Sequence, residues 1–353
     1  MPTSRSAVCV AMGPRQHRQG MSRHPIPALQ VLILCLQQFG GDPSHVTLWG
    51  ESAGAGSIYQ QIIANGGNTQ PQLFNAAILA SPFEPPIYWY NASKPQQAYN
   101  DLVAAANCTG SADTLSCLRT VDAKLLALAG SFNTAEQING DFLYTPVIDG
   151  SFIQDRPELL LAQGKVNGER VWATHNYNEG LIVNGGSFTP QDIGNNATLQ
   201  RNYISGFYPR LDNASVDSIQ AAYTADTFGS LQLATDFLYA EGVFGCEALW
   251  VSEAFSDNSY LGWLVIPKYS AHASDLTLSF TANTLAGTPY APIAAQWTQN
   301  INSFISSYTL EQDYAPMTFT SGSPQQVVVN VTESLAPDIS YDAVPADFVA
   351  RCK

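Results

Sequence analysis

Ser52 stands at the centre of Gly50-Glu51-Ser52-Ala53-Gly54, a Gly-x-Ser-x-Gly quintet set between two patterned runs. His45–Trp49, before it, is β-branched and apolar and reads as a strand. Gly56–Gly67, after it, places Ile58, Ile62 and Ile63 on one side of a helix that stops at Gly66 and Gly67. Strand, turn and helix in that order define a nucleophile elbow, in which small flanking residues leave room for a sharp turn that lifts the serine above the sheet edge. A serine hydroxyl becomes a useful nucleophile only when a base takes its proton. The base in turn needs a carboxylate to fix its tautomer and offset its charge.

Five histidines are available. His17 and His24 lie in an irregular N-terminal stretch, His45 begins the strand leading to Ser52, and His175 shares a loop with an acid candidate. His272 remains, in Ile266–Leu276, just after a strong strand and so at the sheet edge where open α/β folds bind ligands. Among the carboxylates, Glu179 follows the strand Arg170–Thr174 and precedes Gly180, which is expected to turn the chain sharply. Asp149 is its rival, although Asp149-Gly150 between apolar arms also reads as the turn of a β-hairpin over Thr145–Ile153. The residues alone leave both acids open.

The elements that must position these groups alternate along the chain. Leu73–Pro82, Arg170–Thr174 and Tyr260–Ile266 read as strands. Leu102–Leu128 reads as helical around a loop between Cys108 and Cys117, and Ile293–Tyr308 as an amphipathic helix. No repeat and no separating linker interrupts this order, so an α/β sheet in a single large unit is expected.

Composition narrows the partners. With 353 residues and 45% hydrophobic side chains the chain can bury a substantial core. Twenty-nine acidic against 15 basic residues give a net charge of −14, which opposes binding to phosphate backbones and anionic membranes. No apolar run approaches the roughly 20 residues of a membrane-spanning helix. Six cysteines and five Asn-x-Ser/Thr sequons, at Asn91, Asn107, Asn196, Asn213 and Asn330, favour a secreted glycoprotein. No recognisable signal peptide accompanies them. Met1–His24 carries Arg5, Arg15, Arg18 and Arg23, and the apolar run Ile26–Leu36 has the length of a signal core but no small-x-small cleavage site after it.

Together these segments resemble the type-B carboxylesterase/lipase family of α/β-hydrolases, which includes fungal secreted esterases and lipases. FGGDPSHVTLWGESAG (Phe39–Gly54) matches its elbow, Leu143–Gly180 the segment leading to its acid, and HASDL (His272–Leu276) its His-x-x-(Asp/Glu)-Leu loop. The resemblance implies a Ser52–His272–Glu179 triad, an oxyanion donor at the Ala53 amide, and Ser81 and Glu51 beside the triad. A plain strand-end role explains Ser81 equally well. It further implies disulfides Cys108–Cys117 and Cys246–Cys352, leaves Cys9 and Cys35 without counterparts, and implies a small-molecule or lipid ester as substrate, with no cofactor and no metal.

The resemblance begins near Phe39. Residues 1–38 are atypical, as a misjoined or frame-shifted piece would be, and residues 39–353 are expected to form the C-terminal part of the family's domain. The fold expected is therefore an α/β-hydrolase lacking its N-terminal strands. No His-Gly-Gly, the family's other source of oxyanion donors, occurs in the sequence. The chain is expected to be a serine ester hydrolase weakened by that loss; the alternative is an inactive fragment or a non-catalytic binding member of the fold.

Overall fold

The computed structural model describes residues 7–11, 35–135, 138–182, 186–266, 270–280, 285–310, 325–331 and 337–353. His17, His24 and most of the run Ile26–Leu36 lie outside the described residues.

Eleven strands are described: β1 (Ala7–Ala11), β2 (Val46–Glu51), β3 (Ala76–Ala80), β4 (Tyr88–Trp89), β5 (Val147–Ile148), β6 (Arg170–Asn176), β7 (Asn178–Ile182), β8 (Ser259–Leu264), β9 (Ala271–His272), β10 (Gln325–Val331) and β11 (Pro337–Ala343). Seven of them form one sheet in the order β1-β2-β3-β6-β8-β10-β11, parallel throughout except for the antiparallel pair β10/β11.

Strand order follows chain order, so every crossover moves the same way across the sheet. The carboxyl ends of β2, β3, β6 and β8 consequently lie side by side: Glu51 is opposite Ala80, Ala80 opposite Thr174, and Asn176 opposite Leu264. Ser52, Ser81, Glu179 and the segment to His272, each just beyond one of these strand ends, are thereby gathered at one edge.

Side chains alternate between two apolar layers, as a sheet covered on both faces requires. Leu48, Leu79, Val171 and Leu261 pack with the helices Ala53–Ile63, Pro157–Ala162, Cys246–Phe255 and Ala346–Arg351. Ile78, Trp172 and Tyr260 face the other way, against the helices Ser274–Phe280 and Ala291–Ser307 through Leu278, Trp297 and Phe304.

A third apolar cluster joins the helices Ala197–Phe207, Asn213–Ala222 and Leu231–Ala240. Their starts are fixed by side-chain caps: Asn196 accepts from the amides of Thr198 and Leu199, Asp212 from Ser215 and Ser230 from Leu233. Leu231–Ala240 then passes through a π-helical turn, Glu241–Gly245, into Cys246–Phe255.

Within residues 1–38, β1 pairs with β2 in parallel, Ala7 opposite Val46 and Ala11 opposite Gly50; its Ala-Val-Cys-Val-Ala run is short and rich in residues that fit a pleated edge. Two expectations are corrected. Thr145–Ile153 is not a hairpin. The Asp149 carboxylate accepts from the Ser151 and Ile153 amides, closing a compact loop, while β5 pairs in parallel with the distant β4. Finally, His175 lies within β6 and is buried, not in a loop.

Candidate active site

Ser52 sits between β2 and the helix Ala53–Ile63 at φ 55°, ψ −125°, a backbone conformation that is costly for a residue with a side chain. The surrounding sequence holds it there. A Cβ at Gly50 would lie 2.5 Å from the Gly54 carbonyl carbon, and one at Gly56 2.2 Å from the Phe83 oxygen, so the turn and its helix close only with glycine at both places. The Ser52 amide donates to Ala80 O at 2.9 Å. Its carbonyl accepts from Gly56 at 2.9 Å and Phe83 at 3.3 Å, stapling the elbow to the loop after β3. Ala53 opens the helix, so its N–H has no partner within the helix and is free to donate outward.

Glu179 is fully buried in β7. Its Oε1 accepts from the Asn176 amide at 2.5 Å, the Ser81 hydroxyl at 2.6 Å and Asn176 Nδ2 at 3.2 Å, while Oε2 faces His272 Nδ1 at 2.6 Å. Gly180 serves close packing: a Cβ there would stand 2.4 Å from the Asp236 carbonyl oxygen, and its φ is not positive. That corrects the expectation of a sharp turn. The small residue lets the helix Leu231–Ala240 press on the strand that carries the acid.

His272, at the end of β9, completes the line. With Nδ1–H donating to Glu179, Nε2 is left to accept from the Ser52 hydroxyl at 2.7 Å. The ring is walled by Phe244, with centroids 4.6 Å apart, and by Phe188 edge-on at 5.4 Å. The structure thus brings Ser52, Glu179, His272, Ser81 and Ala53 to one place, with Glu51 Oε1 3.5 Å from His272 Nε2.

Electrostatics assign different states to these acids. Burial pushes Glu179 up, but the His272 charge and the hydrogen bonds outweigh it and hold the carboxyl below its usual range. Burial lowers His272, yet Glu179, Glu51 and Asp275 around it raise it on balance. Glu51 is pushed up to about 8, mainly by burial, and Asp275 to about 6 by burial and the neighbouring Glu179. At neutral pH, Glu179 is the charged partner and Glu51 is largely protonated.

The other candidates lie elsewhere. Asp149 is occupied in its own loop. His45 Nε2 is 2.8 Å from Ile305 O with its ring stacked on Tyr308, and His175 stacks between Trp263 and Phe348. Cys108 is bonded to Cys117 and Cys246 to Cys352; Cys35 is a half-buried free thiol, and Cys9 lies in β1. Asn91, Asn107, Asn196 and Asn213 are exposed, whereas Asn330 is half-buried in β10. Asn176, Phe188 and Phe244 were not singled out from sequence. Asn176 sits three residues from Glu179, but its bond to that carboxylate depends on how β6 hands over to β7. The two rings are brought in by the third cluster.

A family model described as the carboxylesterase family matches residues 26–289, and the chain belongs to that family. The match starts ahead of Phe39 and stops before β10. Secreted lipase 1 of Botryotinia fuckeliana is 38% identical over 136 residues, 36% of this chain and 23% of that protein. Lipase 2 of Diutina rugosa is 33% identical over 206 residues, 56% of this chain and 36% of that protein. A crystal structure of Aspergillus niger EstA superposes with a TM-score of 0.76 at 21% identity, covering 92% of this chain and 66% of that one, and shows the α/β-hydrolase fold. The chain spans well under half the length of these two lipases. No helix of the described residues is long and apolar enough to cross a membrane.

Proposed function

We propose that this chain is a serine carboxylic-ester hydrolase working through an acyl-enzyme. Ser52 Oγ attacks the ester carbonyl carbon as His272 Nε2 takes its proton, and Glu179 holds the Nδ1–H tautomer and offsets the imidazolium charge. Negative charge on the carbonyl oxygen is met by the Ala53 N–H. Collapse breaks the C–O bond, His272 returns the proton to the leaving alcohol, and a water deprotonated by His272 then releases the acid and restores Ser52. No step calls for a metal or organic cofactor.

The unbroken line from Ser52 through His272 to Glu179, at 2.7 and 2.6 Å, carries this reading. Esters, small or lipid, are the substrate class. Residues 39–353 would supply the carboxylesterase-type domain. The two disulfides, the exposed sequons and relatives named as secreted lipases support an extracellular glycoprotein.

A second, non-catalytic reading rests on the oxyanion site, where the Ala53 N–H is the one donor identified among the described residues, because loss of one such donor costs about 10²–10³ in rate. Stopped-flow hydrolysis of p-nitrophenyl acetate and butyrate separates the two. A nitrophenolate burst of one equivalent, absent in Ser52→Ala, is expected; no burst and no turnover from a folded chain would leave the binding reading.

A further inference from the structure

The helix Ala346–Arg351 touches none of the reacting atoms, yet it contacts the supports of both His272 and Glu179. On the histidine side it grips the π-helical turn Glu241–Gly245. Arg351 donates through Nε and Nη2 to the two oxygens of buried Glu241, each at 2.7 Å, and Tyr223 OH donates to the same carboxylate at 2.6 Å. Phe348 lies against Gly245, where a Cβ would come within 3.2 Å of its ring, and Cys352 is bonded to Cys246 directly after the turn.

Between these anchors the same turn presents Phe244 to the His272 ring. Such turns break the regular ladder and are common at functional sites, where they re-aim a side chain. On the acid side, the Phe348 ring stacks on His175 at 5.7 Å, and the next residue, Asn176, donates its amide to Glu179.

We propose that the helix Ala346–Arg351 is a brace for the catalytic line, with Arg351 as a positioning residue that fixes the π-helical turn and hence the Phe244 wall against His272. The inference rests on the reading of Ser52 as nucleophile. Two charges fixed in bidentate geometry specify one register of the turn. Without the guanidinium, Glu241 is left with the Tyr223 hydroxyl alone, and the turn loses the partner that sets its orientation.

The test is steady-state hydrolysis of p-nitrophenyl butyrate by the full chain, wild type against Arg351→Met, Arg351→Lys and Phe348→Leu, with pH profiles taken well below each variant's melting temperature and melting curves recorded separately. Since displacements of about 1 Å at a reacting group cost up to ~10² in rate, kcat is expected to fall about tenfold in Arg351→Met, with KM within about twofold. The acid limb of kcat/KM should move to higher pH, because water reaching the ring favours its cation. Arg351→Lys should recover part of both. Phe348→Leu, the milder change should Arg351→Met fail to fold, should move kcat in the same direction by less. A lowered melting temperature with unchanged kcat and an unmoved acid limb overturns the brace alone. A wild-type chain that neither turns over nor labels at Ser52 overturns the nucleophile reading and the brace with it.

Discussion

His272 has a carboxylic acid on each side, and the two are held very differently. On the Nδ1 side Glu179 receives the Ser81 hydroxyl and the backbone and side-chain N–H groups of Asn176, gathered from the ends of β3 and β6. On the Nε2 side Glu51, the last residue of β2, lies 3.5 Å from the ring, and its buried Oε1 has no hydrogen-bond partner. Both are glutamates beside the same imidazole, yet one carboxyl is driven below its ordinary range and the other up to about 8. Burial acts on both; for Glu179 the charge and hydrogen bond of His272, and behind them the Asn176 and Ser81 donors, outweigh it, whereas Glu51 has the His272 charge alone, opposed by Asp275 and Glu179. The lesson is that a buried acid stays charged beside the imidazole only where a close bond to the ring and donors at the strand ends act together.

The largest break in this comparison comes from Glu179→Gln. It keeps the shape, removes the charge and favours the wrong tautomer, so kcat/KM should fall by about 10³–10⁴ in the burst assay, the scale seen when a triad carboxylate is made an amide.

Stability against pH exposes the opposite signs of the two acids. Glu179 has a lowered folded-state pKa, so the stability it contributes is present above the ordinary carboxyl range and is lost in acid. Glu51 holds its proton in the fold up to about 8 while the unfolded chain releases it near 4.5, so its contribution falls as pH rises through that window. Glu51→Gln should flatten the loss of stability between pH 4.5 and 8 by on the order of a few kcal/mol in denaturant titrations at each pH. Glu247, also held near 8 with Tyr59 OH 2.5 Å from its Oε2, contributes a parallel slope that the substitution leaves in place.

The smallest effect is that of Ser81→Ala. Removing one of three donors to Glu179 Oε1 while leaving Asn176 should cost about tenfold in kcat, close to one hydrogen bond to a charged group. An effect as large as that of Glu179→Gln would mean that Ser81, and not the set of donors, holds the acid.

The elbow was legible from sequence because its requirements are local: a β-branched strand, glycines at 50 and 54, and an Ile-bearing helix are contiguous and mutually constraining. Glu179 and His272 were harder, since a carboxylate and an imidazole have no local signature, and Asp149 stayed open until its oxygen was seen capping Ser151 and Ile153. Asp149-Gly150 misled because an Asx loop and a two-residue hairpin turn use the same dipeptide, and only the pairing of β5 with the distant β4 separates them. β1 was missed because a five-residue run declares itself as a strand only when β2 offers it an edge. Phe188 and Phe244 reach His272 from the third helical cluster, a tertiary arrangement that no spacing in the chain encodes.

Fluorophosphonate labelling of the purified chain, with mass mapping of the modified peptide, tests most directly whether Ser52 is an activated nucleophile. One label per chain on the Ser52 peptide is predicted, absent in Ser52→Ala, with a rate that declines in acid from above the ordinary imidazole value of 6.5 as His272 becomes protonated. A soluble, folded chain that takes no label, or takes it equally in Ser52→Ala, would contradict the account.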